Sequence, residues 1–459
     1  MRKIRLLKGI VLFLVTSILF LSLFTACREE VNPNYQQEAL QAEFIHTSMK
    51  RLTDVIVHDI FSPPQASRIY AYPSIAAYEA GIHAFPEYRT LQGQVRELAI
   101  VPKPEVGKEY CFPLASTHAF LTVGKQLIFS EDKIDQFYKE KLEQFKALKM
   151  PKAVFDRSIA YGDQVAKHII AWSDTDKYKE TRTFPKYSIP EDPAKWRPTP
   201  PDYMDGIEPH WKEIRPFVIN DANQFTPPPP TPYDMEKNST FYKEVVEVYE
   251  ALEKEREERV AIAEFWDCNP YVSHHQGHVM FATKKITPGG HWINIAALAA
   301  RKSNADFMKT LETYALTSIA LADGFISCWD EKYRSKLVRP ETVINEHLDE
   351  EWAPLLQTPP FPEYTSGHSV ISRAAAVALT SLYGDNFAFD DNTEEEYGLP
   401  MRSFPSFLAA SDEAAISRLY GGIHYSPACF NGVKQGQQVG DFVVSTLKLR
   451  NLIGMKNEE

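Results

Sequence analysis

Residues 359–383 read PPFPEYTSGHSVISRAAAVALTSLY, and the stretch changes character half-way along. Its first part is proline-rich and unsuited to helix, because proline has no N–H to give a helix interior. Its second part, from residue 368 to 383, carries helical patterning. Ser366, Gly367 and His368 stand at the join. A helix that begins at Ser-Gly leaves its first backbone N–H groups without partners, and the positive end of its dipole points the same way. That is an anion-binding arrangement. Gly367 lacks a Cβ, so the backbone can approach the anion closely.

Two flanking segments carry the same chemistry. Upstream, Lys332 is followed by Arg339-Pro340. A spacing of seven is two helical turns, which predicts both cations on one helix face, with Pro340 stopping the helix beside Arg339. Downstream, Ser417-Arg418-Leu419-Tyr420-Gly421-Gly422-Ile423-His424 places Arg418 at a helix end and His424 after a Gly-Gly turn. The set holds three cations, the Ser366 hydroxyl, helix-start amides and two imidazoles, and no carboxylate is expected in it. These donors can surround a tetrahedral or trigonal-bipyramidal oxyanion, with two-pronged contacts from the arginines. Taken singly, an Arg-Pro pair or a lone histidine is more often a surface residue or a satisfied buried one. The three segments in this order, between residues 332 and 424, are far more specific.

The remainder reads as helical. Leu40, Phe44, Met49, Leu52, Val55 and Ile56 predict a helix within residues 35–60. Ser130 opens a second, with Ile134, Phe137, Leu142, Phe145 and Leu148 as its stripe, Pro151 as its stop and a further helix over 152–172. Helical patterning resumes at 239–260, 291–303, 305–328, 409–420 and 431–450. Strand signals are few and no fixed-period repeat is present. Between residues 184 and 233 proline and aromatic residues accumulate, ending in the run Pro227–Pro230, which excludes helix. Trp196, Tyr203, Trp211 and Phe217 argue that this stretch is an ordered belt. The predicted fold is all-α: a helical bundle over 27–183, a Pro-rich crossover over 184–235, and a second bundle over 236–459 that carries the oxyanion site.

With 459 residues, 44% hydrophobic and 12% aromatic, the composition is globular. The formal net charge of -11 argues against nucleic acid as a partner, since phosphate-backbone binding needs a basic patch. The amino terminus differs from the rest. Arg2, Lys3, Arg5 and Lys8 precede an uncharged apolar run over residues 9–26, and Cys27 follows at once. This is the layout of an export signal, with an uncleaved membrane anchor as the competing reading. The position of Cys27 resembles a bacterial lipoprotein lipobox, which implies removal of residues 1–26, lipidation of Cys27, and membrane attachment in the cell envelope through that lipid alone. Cys111, Cys268, Cys328 and Cys429 could pair in three ways or not at all. An oligomer is compatible with the sequence.

The pattern K-x6-R-P, then S-G-H, then S-R-x5-H resembles the type 2 phosphatidic acid phosphatase superfamily, which includes the bacterial acid phosphatases and the vanadium-dependent haloperoxidases. The segments FWDCNPYV, PGGHW, PPFPEY and ISRLYGGIHY are most similar to the haloperoxidase branch, iodoperoxidase-like. The resemblance implies vanadate as cofactor, with His424 as the axial vanadium ligand. Lys332, Arg339, Ser366, Gly367 and Arg418 would hold the equatorial oxygens. His368 would act as acid–base toward incoming hydrogen peroxide, and Lys332 would polarise the bound peroxide. The implied reaction oxidises a halide to hypohalous acid, and iodide is the easiest halide to oxidise.

The same residues allow an acid phosphatase in which His424 is the nucleophile and His368 protonates the leaving alcohol. A non-catalytic surface lipoprotein that binds glycans or nutrients is the third reading. Two positions depart from the superfamily. Thr365 stands where proline is usual before S-G-H, and threonine can cap the following helix. Ala428 stands where an aspartate normally orients the last histidine through Nδ1, which weighs against a phosphohistidine mechanism. Phe361, Trp329, Asp330 and Tyr271 are candidates for a halide pocket. His274, His275 and His278 could put two imidazoles on one helix face, but polar surface is the better reading, because no third ligand accompanies them.

Overall fold

The computed structural model describes residues 31–451 apart from Gly277. The expected export signal over 1–26 and Cys27 therefore lie outside the described residues. Local chemistry sets the helix ends. α1 (Tyr35–Ala39) and α2 (Glu43–His58) replace the single helix expected over 35–60, because α1 turns aside to join Phe145 and Val154 in a satellite apolar cluster. α3 (Pro63–Gly81) starts with proline at its first position and a capping box between Ser62 and Gln65. α4 (Phe112–Gln126), α5 (Glu131–Ala147), α6 (Lys152–Ser173) and the short α7 (Tyr178–Thr181) complete the first half.

Between Thr181 and Thr240 the described chain makes only one 3-10 turn, Trp211–Glu213. It is nevertheless ordered, with Trp196 and Trp211 fully buried. The carboxylate of Asp323 accepts the backbone N–H groups of Phe217, Val218 and Ile219 at 2.7, 2.7 and 3.0 Å. An extended segment has no internal ladder for its N–H groups, so a buried carboxylate takes them instead.

The second half runs α8 (Thr240–Tyr249), α9 (Arg256–Phe265), α10 (Pro288–Lys302), α11 (Phe307–Ser335), α12 (Pro340–His347), α13 (Gly367–Tyr383), α14 (Phe407–Tyr420) and α15 (Ser426–Thr446). The helix expected over 239–260 is two helices, parted where Glu255 takes a left-handed φ of 48°. The histidine-rich segment is a hairpin, β1 (Val272–Gln276) paired antiparallel with β2 (Val279–Thr283), so no helix face presents its imidazoles. A second small ladder joins β3 (Phe389–Asp391) to β4 (Arg402–Phe404). The fold is all-α apart from these ladders.

Lys332 and Arg339 do not share a helix. α11 ends at Ser335 with Lys336 left-handed at φ 54°, and Arg339 is the N-cap of α12. Pro340 starts a helix rather than stopping one, since the first helical position needs no N–H. The two halves share a core that runs from Ile45 to Leu449. α11 lies at its centre and packs on α3 from the first half and on α13 from the second. α15 lies against α13 through Gly432, Gly436 and Gly440, one helical turn apart. A Cβ at Gly436 would strike the Val370 carbonyl oxygen. All four described cysteines are free and buried.

Candidate functional site

The cores of α11, α13 and α15 bring the three sequence segments together. Lys332 comes from the last turn of α11, Arg339 from the N-cap of α12, and Gly367 and His368 from the first turn of α13. Arg418 sits on the last turn of α14, and His424 lies just before α15. Ser366 caps α13, its Oγ accepting from the Ser369 N–H. That leaves the hydroxyl hydrogen available to donate. Thr365 is not the cap; its hydroxyl donates to Gln435 Oε1 at 2.7 Å.

Gly367, His368, Arg418 and His424 line a cavity of about 1000 Å³ that opens to solvent. Trp329, Phe361, Tyr271 and Cys268 line it too. Lys332, Arg339 and Ser366 are fully buried behind this surface. A Cβ on Gly367 would meet the Trp329 ring at 3.6 Å and Lys332 Cε at 4.0 Å. Of the four halide-pocket candidates, Asp330 is not among the lining residues. It pairs with Arg334 at 3.2 Å, because two residues before Lys332 is the opposite side of a helix. The Trp329 and Phe361 rings lie 5.0 Å apart, and Lys332 Nζ sits 4.9 Å from the Phe361 ring centre.

A carboxylate does belong to the site. Glu363 Oε1 accepts from His424 Nδ1 at 2.8 Å and from the Tyr425 N–H at 3.0 Å. With its proton held at Nδ1, His424 turns the Nε2 lone pair toward Arg339 Nη1, 3.1 Å away. Glu363 thus does what the aspartate expected at position 428 would do. Ala428 packs in the core, and its carbonyl accepts the Ser366 N–H at 3.1 Å. The argument that Ala428 weakens histidine chemistry therefore falls away. Glu363 stands three residues before Ser366 in the opening stretch. The signal for it was a lone acid in a proline-rich, largely apolar run.

Backbone carbonyls aim the cations. Lys332 Nζ donates to the Pro362 and Glu363 carbonyls, both at 2.9 Å. Arg339 donates to Phe361 O at 3.0 Å and Ile423 O at 2.7 Å. Arg418 Nη1 donates to Trp266 O at 2.8 Å, and His368 bonds the same backbone group. Trp266 is a positioning residue that the sequence did not single out. After these bonds, the donors Arg339 Nη2 and Arg418 Nε remain buried without a protein partner, as does the acceptor nitrogen His368 Nε2. Buried donors left unpaired cost roughly 1–3 kcal/mol each, so two bare guanidinium N–H groups in this part of the molecule point to an anion.

The electrostatics agree. Burial, with neighbouring Arg339 acting in the same direction, lowers the Lys332 ammonium to about 7. Burial brings Arg339 down to about 10 against the pull of Glu363. His424 and His368 are both held well below the usual imidazole range, by burial first and then by the surrounding cations. Burial pushes Glu363 up to about 7, while Arg339 and Lys332 pull it back. An arriving oxyanion would relieve every one of the strained cations.

Residues 312–451 match the sequence profile of the VCPO second helical-bundle domain. None of the curated proteins compared matches the chain. Among solved structures, the first bacterial vanadium-dependent iodoperoxidase is similar at 53% identity and a TM-score of 0.85, over 90% of this chain and 98% of that one. The chain belongs to the vanadium-dependent haloperoxidases. A holo-type bacterial vanadium-dependent chloroperoxidase shares the fold at 16% identity and a TM-score of 0.62, over 92% of this chain and 98% of that one. Its apo-type counterpart gives 17% and 0.61, over 83% and 93%. As a haloperoxidase-family chain, this protein carries its candidate donor set within the segment covered by the matching domain.

Proposed function

We propose that the protein is a vanadate-dependent haloperoxidase that oxidises iodide with hydrogen peroxide to hypoiodous acid. The observation that carries this reading is that Arg339, bonded to His424 Nε2, and Arg418, lining the same cavity as His424, each keep a buried N–H without a partner, with Glu363 fixing the histidine tautomer. Similarity to an iodoperoxidase supports the choice of halide.

The residues fit vanadate. His424 Nε2, with the Nδ1 proton held by Glu363, would ligate the vanadium. Lys332, Arg339 and Arg418, with the Ser366 hydroxyl and the Gly367 N–H, supply donors for the oxygens. When bound, vanadate supplies a Lewis-acid centre that activates peroxide without changing oxidation state. His368, held neutral, takes the proton of incoming peroxide at Nε2. Lys332 stabilises negative charge that develops on oxygen. Trp329, Phe361 and Tyr271 make an apolar wall, and a large, weakly hydrated iodide loses least on leaving water there.

One assay tests this. Purified protein receives vanadate, peroxide and iodide, and separately a chromogenic phosphate ester. The Glu363–His424 pair would also serve a phosphohistidine, so the ester arm is informative. Iodide oxidation that needs vanadate and vanishes in His424→Ala supports the proposal; ester hydrolysis without peroxidase activity overturns it. The protein works outside the cytoplasm, anchored through lipidated Cys27. Cys27→Ser should release it from the membrane fraction, and unchanged fractionation would remove that part of the proposal.

A further inference from the structure

A second buried cluster lies beside the oxyanion cavity and takes no part in the chemistry above. Cys268 follows α9, His291 lies in the first turn of α10, and Glu394 follows β3. All three are buried, and their ligand atoms lie within 4.8 Å of one another. His291 Nδ1 is 3.4 Å from Cys268 Sγ and 3.0 Å from Glu394 Oε1, and Sγ is 3.9 Å from that oxygen. Around a tetrahedral zinc with ordinary bond lengths, such ligand atoms stand about 3.3–3.6 Å apart.

Two further observations point to a cation. His291 Nε2 meets Asp391 Oδ2 at 2.7 Å, the carboxylate–imidazole pairing that orients a metal-binding histidine toward its other nitrogen. Glu394 Oε2 is buried and has no hydrogen-bond partner. In an ion pair without metal, His291 Nδ1–H and the Cys268 thiol both serve Glu394 Oε1, and the buried Oε2 is left bare. A metal takes sulfur, nitrogen and both carboxylate oxygens at once.

We infer that Cys268, His291 and Glu394 form a zinc site, four-coordinate through both oxygens of Glu394, with Asp391 as the outer partner of His291. Thiolate, imidazole and carboxylate together suit Zn²⁺, which does no redox chemistry beside peroxide. The role is structural support for the cavity. Trp266 stacks on the His291 ring at 4.6 Å and 20°, and its carbonyl is the acceptor for Arg418. Zinc would lock the segment from Trp266 to Cys268, and so hold the carbonyl that aims Arg418 and His368.

The test counts metal in the full vanadate-loaded protein, purified from zinc-supplemented medium. About one zinc per chain, removable by a chelator, is expected. Cobalt put in its place should give a thiolate-to-cobalt charge-transfer band, lost in Cys268→Ser and kept in the control Cys111→Ser. Less than about a tenth of an equivalent in folded wild-type protein would overturn the site, and so would a cobalt band that survives Cys268→Ser. Should Cys268→Ser not fold, the wild-type zinc count decides alone. The readouts are metal content and absorbance, so they are independent of whether the peroxidase assay succeeds.

Discussion

At the residue scale the decisive side chain is Glu363. Its carboxylate, 2.8 Å from His424 Nδ1, sets which nitrogen of the imidazole faces the cavity. Partners of this kind are typically worth 10–100-fold in metal affinity or activity. Glu363→Gln should therefore weaken vanadate binding by about 10–100-fold, measured by titrating the purified enzyme with vanadate and following activity; an unchanged midpoint would remove the role. Arg339→Ala takes away charged hydrogen bonds of about 1.5–3 kcal/mol and should cost a comparable loss in the same titration. The candidate cations, the Ser-Gly-His join and both histidines could be picked out in the sequence because cationic residues and a glycine at a helix start, taken together, suit an anion. Glu363 and Trp266 could not, whereas the outward turn of Asp330 follows from helical spacing alone. Which residue meets a partner some sixty positions away is a tertiary fact.

At the scale of elements, the contact between α13 and α15 decides whether the site assembles. Gly436 brings the helix backbones together where a Cβ would strike the Val370 carbonyl oxygen. A backbone atom cannot rotate away, so Gly436→Ala should destabilise the protein by about 1–3 kcal/mol, read as a lower urea midpoint. A change below about 0.5 kcal/mol, within the range of neutral surface substitutions, would mean the helices do not pack so closely. Asp323 works in the same way for the crossover. Asn offers one acceptor oxygen where the carboxylate uses both, so Asp323→Asn leaves at least one buried N–H unpaired at about 1–3 kcal/mol. Urea unfolding with a Trp fluorescence readout checks this, since Trp196 and Trp211 are buried in the crossover. Helix positions were legible from spacing and proline. The breaks at residues 40–42 and near Glu255 were not, because packing elsewhere overrode a continuous helical pattern.

At the scale of the whole molecule, folding puts charge where the surface composition gives no hint of it. Glu79 on α3 is an example: burial pushes its carboxyl up to about 7, although the Thr90 hydroxyl and the Leu91 N–H pull it down. In the unfolded chain a glutamate titrates near about 4.3. Between these values the folded state keeps a proton that the unfolded state has lost, so this group's contribution to stability falls as pH rises. Glu79→Gln should gain on the wild type as pH climbs from about 4.5 to 7, and a constant difference in Tm across that series would refute it. The sequence by itself determined the helical class, the extended crossover and the candidate oxyanion donors, since these follow from periodicity, proline and residue chemistry within short stretches. The merging of two bundles into one core, the carboxylate behind His424 and the Cys268–His291–Glu394 cluster were decided only by tertiary structure. Each joins segments far apart in the chain, and no local pattern records which buried groups will meet.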